Sequence, residues 1–265
     1  MPEITDQTGR LIKLPELPRR IVSLVPSQTE LLYALGLDEE VKGITRFCVH
    51  PEKWFRTKKR IGGTKNVHIS EVAALQPDLI IANKEENIRE QVEALQELAP
   101  VMVTDVNDLT TATEMIIQVG RITGREDKAL ALATEIRRQF EQLTPVQPAI
   151  RTAYLIWRNP YMTVGADTFI NDILSRAGFI NVFADKTRYP AVTIEEMKTA
   201  DPELILLSSE PYPFRDKHIA ELQQDLPHTH ILLADGEMFS WYGSRISQFP
   251  AYFCRLSAGL NALKS

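Results

Sequence analysis

The sequence has few cysteines, no excess of positive charge and no long apolar run, and each of these features excludes a class of protein. Only two of the 265 residues are cysteine, Cys48 and Cys254, which excludes a disulfide framework, and their spacing does not call for a single bridge. The formal net charge of −5 provides no long-range attraction for nucleic acid or for an anionic lipid surface. No stretch approaches the roughly 18 apolar residues of a membrane span.

Catalytic motifs are also missing. The chain contains no G-x-S-x-G elbow, no P-loop, no G-x-G-x-x-G after a strand and no H-E-x-x-H. Two short patterns could supply metal ligands. His228 and His230 could chelate from one face of an extended segment, but we interpret them as loop histidines. Cys48 and His50 offer a thiolate and an imidazole that would suit a soft or borderline metal. Two ligands do not make a metal site, and a buried cysteine most often serves as a small apolar residue. We therefore expect no resident metal, with Cys48 and His50 as weak candidates.

The N-terminal segment MPEITDQTGRLIKL has no basic stretch followed by an apolar one. The chain as given therefore carries no export signal, which predicts a cytoplasmic protein, or a periplasmic or cell-envelope protein if a leader was removed. The length allows one large domain or two of about 130 residues.

A long amphipathic helix predicted over residues 125–143 organises the chain. Its apolar residues recur at helical spacing from Ala129 to Leu143, after Gly124 and before the helix-terminating Pro145. Similar α/β-patterned stretches flank it, so we interpret it as a strut joining two lobes; an ordinary surface helix of a single domain is the alternative. The predicted organisation is an N-terminal lobe (1–123), a linking helix (124–145) and a C-terminal lobe (146–265).

Each flanking stretch alternates short apolar strands with helices, which predicts parallel, covered sheets. A hairpin is predicted over residues 4–14, followed by a strand at 20–24. Ser27 and Glu30 have capping-box spacing at the start of the next helix. Residues 69–81 also match 194–206: in both, a short helix, a proline and an acidic residue precede an apolar strand.

Aromatic and charged residues follow the predicted strands of the second lobe. Carboxyl ends of parallel strands share one sheet edge, so these residues are expected to converge there. Rings with arginines and carboxylates suit a large, flat, partly anionic ligand. Internal pairing of the charges and packing of the rings is the alternative, although four of the aromatics, Trp157, Tyr189, Trp241 and Tyr242, look hard to bury together. The predicted ligand-binding set, with the first-lobe loop included, is Arg46, His50, Trp157, Tyr161, Arg188, Tyr189, Glu210, Glu237, Phe239, Trp241, Tyr242 and Arg245.

Three stretches together resemble a known family. Residues 20–36, RIVSLVPSQTELLYALG, are similar to the opening motif of the substrate-binding proteins of ABC importers that have a single helical backbone, the cobalamin- and ferric-siderophore-binding group. Residues 76–81, QPDLII, match a strand of that group, and residues 125–143 lie where its linking helix should be. The resemblance implies two Rossmann-like lobes with parallel sheets joined by one long α-helix, a class III periplasmic-binding-protein-like fold.

The resemblance also implies a non-enzymatic monomer that captures a metal chelate in a cleft between its lobes. Any cobalt or iron then belongs to the ligand, no cofactor is expected, and the partner is an ABC transporter permease rather than nucleic acid. In the group, a glutamate on each lobe docks on the transporter. Glu195 matches in the second lobe; in the first, Arg89 occupies the matching position, with Glu86 and Glu90 beside it.

Two other functions stay open at this point. The first is a cytoplasmic carrier or sensor of a tetrapyrrole-like or metallated ligand. The second is an enzyme acting on such a ligand, with Glu210 or Glu237 as acid–base and His50 as its partner.

Overall fold

The computed structural model describes residues 2–263, with the side chains of residues 2–260. Its chain forms two units. The first contains the residues up to Val106, then Thr110–Arg137 and Trp241–Ser247; the second contains Asn107–Leu109, Arg138–Ser240 and the chain from Gln248 onward. No helix within this described part is both long and apolar enough to cross a membrane.

The first unit is built from nine strands and from helices on either side of them. Its strands are β1 (Glu3–Thr5), β2 (Leu11–Lys13), β3 (Ile21–Ser23), β4 (Val41–Ile44), β5 (Lys59–Arg60), β6 (Gly62–Gly63), β7 (Asn66–Val67), β8 (Leu79–Asn83) and β9 (Val101–Thr104). Its helices are α1 (Pro26–Ala34), α2 (Glu52–Thr57), α3 (Ile69–Ala74), α4 (Arg89–Gln96), nearly all of α5 (Leu109–Ile122) and most of α6 (Glu126–Glu141).

A five-stranded parallel sheet forms the centre of this unit, in the order β5-β4-β3-β8-β9. Every residue of β3, β8 and β9 is buried, because helices cover both faces, as the continuous apolar runs predict.

The β1–β2 hairpin closes the β9 edge of the sheet. The Asp6 carboxylate accepts the main-chain N–H of Val103 at 3.1 Å, and Arg10 Nη2 donates to the carbonyl of Val101 at 3.1 Å. Side chains of the hairpin thus satisfy main-chain groups that an edge strand would otherwise expose. The predicted hairpin is confirmed. Its own sequence does not show that it covers the edge strand β9.

The second unit repeats the plan with fewer strands. Its strands are β10 (Ile150–Leu155), β11 (Tyr161–Met162), β12 (Phe179–Asn181), β13 (Ala191–Val192), β14 (Leu204–Ser208) and β15 (His230–Ala234). Its helices are α7 (Phe169–Arg176), α8 (Ile194–Ala200), α9 (Asp216–Asp225), α10 (Gly236–Ser240) and α11 (Phe249–Leu263). The 3-10 turn before α11, Ser244–Gln248, belongs to the first unit up to Ser247. The sheet order β12-β10-β14-β15 matches β4-β3-β8-β9 of the first unit.

The internal similarity extends to side-chain contacts. Arg20 Nε donates to the carbonyl of Leu75 at 2.7 Å, where α3 ends, and Arg151 Nε donates to the carbonyl of Asp201 at 3.3 Å, where α8 ends. Gln76 and Asp201, which precede the two prolines, both have a φ of +46°. The repeat is therefore one of structure as well as of residue type.

Helix α6 is continuous from Glu126 to Glu141, which confirms the prediction of one unbroken helix over residues 125–143. The division between the units crosses it between Arg137 and Arg138.

The predicted capping box at α1 is wrong. Val25 is the N-cap residue, it makes no side-chain capping bond, and Pro26 begins the helix. Proline fits this position because the first helical N–H has no intrahelical partner in any case. The Glu30 side chain instead accepts hydrogen bonds from Arg245.

Candidate ligand-binding site

An aromatic cluster lies at the carboxyl end of β10 in the second unit. The Trp157 side chain remains 39% exposed, although its ring packs edge-on against Tyr212 at a centroid distance of 5.7 Å. Tyr212 in turn contacts Phe214 at 4.8 Å. Trp157 is therefore an exposed indole whose position is fixed by packing. Such a side chain can contact a flat apolar ligand.

Arg158, the residue after Trp157, makes several polar contacts. Arg158 Nη2 pairs with Glu221 at 2.6 Å, and hydrogen bonds to the phenol oxygens of Tyr212 and Tyr161 raise the pKa of Arg158. Tyr161 is half-buried and packs against the core of the unit. Arg158 and Tyr212 are absent from the predicted set. The sequence offered a signal for each: Arg158 directly follows Trp157, and Tyr212 follows the end of β14.

Glu210 is held by the chain around it. Its carboxylate accepts a hydrogen bond from Ser240 Oγ at 2.8 Å, and its carbonyl accepts one from Ser208 Oγ at 2.6 Å. Gly236 makes this arrangement possible, because a Cβ there would lie 2.4 Å from Ser208 Oγ. Glu237 is half-buried on the next turn, where its main-chain N–H donates to Asp235 Oδ1 at 3.1 Å.

Arg188 and Tyr189 lie in the long loop after β12. Arg188 Nη1 donates to Asn107 Oδ1 and to the carbonyl of Asp167, both at 3.2 Å. The Arg188 guanidinium also lies 5.7 Å from the centre of the Tyr189 ring. The sequence left open that Arg188 pairs internally. In the structure, Arg188 does pair with residues of the second unit.

Phe239 is a correction to the predicted set. Its side chain is fully buried, 5.1 Å from the ring of Tyr154 and 5.3 Å from that of Phe249. It forms part of the hydrophobic core of the second unit, because α11 brings aromatic residues against α10. Its ring is enclosed by that core.

Trp241, Tyr242 and Arg245 are a second correction. The segment Trp241–Ser247, which we call the return segment, belongs to the first unit and not to the edge of the second. Trp241 and Tyr242 are each only 6% exposed, whereas Trp157 is 39% exposed and Tyr189 is half-buried, so two of the four aromatics are buried and the four are not buried together. A Cβ at Gly243 would lie 2.4 Å from the carbonyl of Ser27, so the segment lies directly on α1.

Arg245 anchors the return segment. Its Nε and Nη2 donate to the two carboxylate oxygens of Glu30 at 2.9 and 2.7 Å, and its guanidinium lies 4.8 Å from the Trp241 ring centre. The Trp241 ring contacts the His50 imidazole at 5.5 Å with an interplanar angle of 68°. The return segment thus forms a backing for His50 on the first unit.

The loop that follows β4 presents the other predicted residues of the first unit. Phe47 and Val49 are 48% and 39% exposed, the Arg46 guanidinium lies 4.9 Å from the Phe47 ring centre, and His50 is half-buried. Phe47 and Val49 are missing from the predicted set. Their apolar character, at the carboxyl end of a buried strand, was the signal for them.

Cys48 points the other way, and its candidacy as a metal ligand is wrong. Its Sγ lies 3.1 Å from Thr29 Oγ1 and 3.2 Å from Thr45 Oγ1 in the interior, and burial raises the pKa of the thiol. Among the side chains that the structure describes, no three His, Cys, Asp or Glu residues form a group that could hold a metal ion.

Comparison with known proteins identifies the family. The family model for periplasmic binding proteins matches residues 21–231. The chain belongs to the periplasmic binding protein family. An uncharacterised ABC transporter substrate-binding lipoprotein, YvrC of Bacillus subtilis, is 30% identical over 215 residues, which cover 77% of this chain and 68% of the relative. A vitamin B12-binding protein of Vibrio campbellii is 26% identical over 214 residues, 79% of this chain and 77% of that one.

The fold of this periplasmic binding protein also has solved counterparts. A possible iron-binding protein of Staphylococcus epidermidis aligns with a TM-score of 0.77 and 22% identity, covering 92% of this chain and 99% of the other. The predicted α/β fold of the class III type, and the family resemblance on which it was based, are confirmed.

The predicted transporter contacts of this binding protein are three glutamates of different exposure: Glu195 and Glu90 lie in helices, and Glu86 lies in the turn before α4. Glu195, in the first turn of α8, has a side chain that is 81% exposed, and Lys198 lies 3.0 Å from it. Glu90 is exposed in the first turn of α4, beside an Arg89–Glu93 pair at 2.8 Å. Glu86 is half-buried, and burial raises its pKa. A docking role for these residues stays a prediction.

Proposed function

We propose that this protein is the substrate-binding protein of an ABC importer and that its ligand is a metal chelate of the corrinoid or ferric siderophore class. The observation that carries the proposal is the exposed Trp157 indole, fixed at the carboxyl end of a parallel strand in a chain of this family. A large apolar surface at such an edge suits a flat ligand. The names of similar proteins, vitamin B12-binding and possible iron-binding, support the same class.

Binding without chemical change is part of the proposal. Glu210, the first acid–base candidate, is bonded to Ser240, and its carbonyl is bonded to Ser208, so its position is explained by the local structure. The proposed partner is a transporter permease that the exposed Glu195 and Glu90 contact. The proposed location is the cell envelope, which the name of the lipoprotein relative supports.

The function can be tested by titrating the purified protein with cobalamin, haemin and a ferric siderophore. Calorimetry and absorbance measure the binding. We expect saturable binding of cobalamin or of the ferric siderophore, weakened about tenfold by Trp157→Ala, since a well-placed aromatic contact contributes about 1–1.5 kcal/mol. Binding of haemin alone would instead favour the alternative of a tetrapyrrole carrier. Tyr33→Ala is the matched control. Tyr33 is also an exposed aromatic, 44% accessible and packed on Trp54 at 5.3 Å, but it lies near the far end of α1. Absence of binding by all three compounds, or recovery of a chemically altered ligand, would refute the proposal.

A further inference from the structure

A buried histidine lies behind the side chain that supports the Trp157 indole. Tyr212 packs edge-on against Trp157 at a centroid distance of 5.7 Å, and His218 packs against the other ring of this pair, Tyr212, at 5.4 Å. His218 is only 2% exposed and belongs to α9, a helix that contains no residue of the predicted ligand-binding set. A titratable group is therefore in direct contact with the support of the candidate ligand contact.

Hydrogen bonds hold the His218 ring in its neutral form. The main-chain N–H of Arg215 donates to Nδ1 at 2.9 Å, so the ring proton lies on Nε2. Nε2 lies 3.3 Å from the hydroxyl oxygen of Tyr212, which can accept that proton in a hydrogen bond. Phe214, between the two partners in the chain, packs on the imidazole at 5.4 Å. The neutral ring thus fixes the whole segment 212–215, including Tyr212.

Protonation of His218 would disrupt this arrangement. A second ring proton, on Nδ1, would face the Arg215 N–H, so two donors would meet where a hydrogen bond now exists. The charged ring would also be buried without an acceptor at that nitrogen, which is unfavourable. The segment that carries Tyr212 must then move relative to α9, and the packing of Tyr212 against Trp157 changes with it.

Charged groups on three elements surround His218. Lys217 and Glu221 lie beside it on α9, Arg158 follows β10 and pairs with Glu221 at 2.6 Å, and Arg215 contributes its main chain while its side chain is exposed. Burial, and then the charges of Lys217 and Arg158, lower the pKa of His218 below its ordinary 6.5, against the opposing effect of Glu221. The ring therefore takes up a proton only in mild acid.

We propose that His218 is a positioning residue for Trp157 and that proton uptake by its ring weakens ligand binding. The imidazole acts through Tyr212 and not by contact with the ligand. A ligand that needs Trp157 in its packed position favours the neutral ring, so by linkage the protonated protein binds it less tightly. The inference rests on the proposed function for its ligand and adds regulation of the same site by pH.

The first test needs no ligand. The chain has three tryptophans, and their indole N–H signals can be followed in a proton–nitrogen correlation NMR spectrum, with the Trp157 signal assigned by Trp157→Phe. We expect the Trp157 signal to shift between about pH 7.5 and 5, with the same midpoint as the His218 ring signals and below pH 6.5. The signals of Trp54 and Trp241, which are 0% and 6% exposed and lie in the first unit, should not follow this transition.

His218→Gln isolates the effect of the proton. Glutamine can accept the Arg215 N–H and donate to Tyr212, but it does not titrate. The Trp157 signal of this variant should therefore stay at its neutral-pH position throughout. His228→Gln is the matched control, because His228 is exposed in the turn before β15, and it should leave the shift unchanged. A Trp157 signal that does not respond to pH, or one that shifts equally in His218→Gln, would overturn the inference.

The second test measures the affinity for cyanocobalamin and ferrioxamine B by calorimetry at about pH 7.5 and 5. Whichever compound binds the wild type should bind at least about fivefold more weakly at the lower pH, the lower end of typical coupling between two sites. His218→Gln should keep the wild-type affinity at the higher pH and lose most of the difference between the two.

The two tests separate the inference from the proposed function. An acid effect on affinity that is equal in the wild type and in His218→Gln would overturn the inference and leave the proposed function standing. Binding of neither compound at the higher pH would contradict the proposed function, whereas the NMR titration would still decide whether His218 positions Trp157.

Discussion

Arg245 binds Glu30 through both of its carboxylate oxygens, although the two residues are 215 positions apart in the chain. The side chains are only 10% and 16% exposed, so this ion pair is largely removed from water. It holds the return segment on α1 and supports Trp241, which contacts His50. The pair therefore connects the stability of the first unit to the shape of its candidate ligand surface.

Removing one partner of this pair should be costly. Arg245→Met leaves the Glu30 carboxylate buried and unpaired, and we expect the free energy of unfolding to fall by about 3 kcal/mol. Urea denaturation measures the change. The control is Arg89→Met, because the Arg89–Glu93 pair is highly exposed and its loss should change stability little. Equal effects of the two substitutions would contradict the structural role assigned to Arg245.

Replacing Gln76 with glycine should relieve the backbone strain at this position. The φ of +46° places this residue in the left-handed region, which costs a residue with a side chain roughly 1 kcal/mol. Gln76→Gly should therefore stabilise the protein by about 0.5–1 kcal/mol, whereas Gln76→Ala, which keeps its Cβ, should give no gain. Thermal unfolding compares the two variants. At Asp201, with the same φ, the gain should be smaller because aspartate tolerates this region better. Destabilisation by Gln76→Gly would contradict the prediction.

Stability should decrease in acid because of His218. Its Nδ1 accepts the main-chain N–H of Arg215 at 2.9 Å, which requires an unprotonated nitrogen, and its ring packs on Tyr212 and Phe214. Burial, followed by the positive charges of Lys217 and Arg158, lowers the pKa of His218 below 6.5, and these outweigh the opposing effect of Glu221.

The unfolded chain therefore takes up this proton at a higher pH than the folded protein does. The His218 contribution to stability is complete above pH 6.5 and is lost as the pH falls below 6.5 towards the folded-state pKa. Unfolding curves between about pH 7.5 and 4.5 measure it. His218→Gln should flatten this part of the profile, whereas His228→Gln, at an exposed site, should not. A profile unchanged by His218→Gln would exclude this role.

The two thiols should react differently with a maleimide. Cys254 is exposed on α11, whereas Cys48 is buried and its thiol has a raised pKa. Mass spectrometry should find one label per native chain and two labels after denaturation. The variant Cys254→Ser should take up no label until it unfolds. Rapid labelling of Cys48 in the native protein would show that the loop after β4 opens, and it would reinstate Cys48 as a ligand candidate.

The sequence alone was sufficient for the longer helices and the buried strands and for the similarity of the two units, but not for short elements such as α2 and α10. Helix α6 and strand β8 were predictable because their patterns of apolar residues repeat within a few positions and depend on no distant partner. The match between residues 69–81 and 194–206 was visible for the same reason. It includes the proline that follows the short helix in each segment.

Tertiary structure decided which of the predicted site residues face outward. Glu30 has capping-box spacing from Ser27, yet it pairs with Arg245, and no local pattern contains a partner 215 positions away. Phe239 is buried by α11, and Trp241 leaves the second unit for the first. Burial and ion pairing depend on residues that are close in space and far apart in the chain. A sequence pattern therefore identifies the strand end that carries a site, and packing determines which side chains at that end remain available to a ligand.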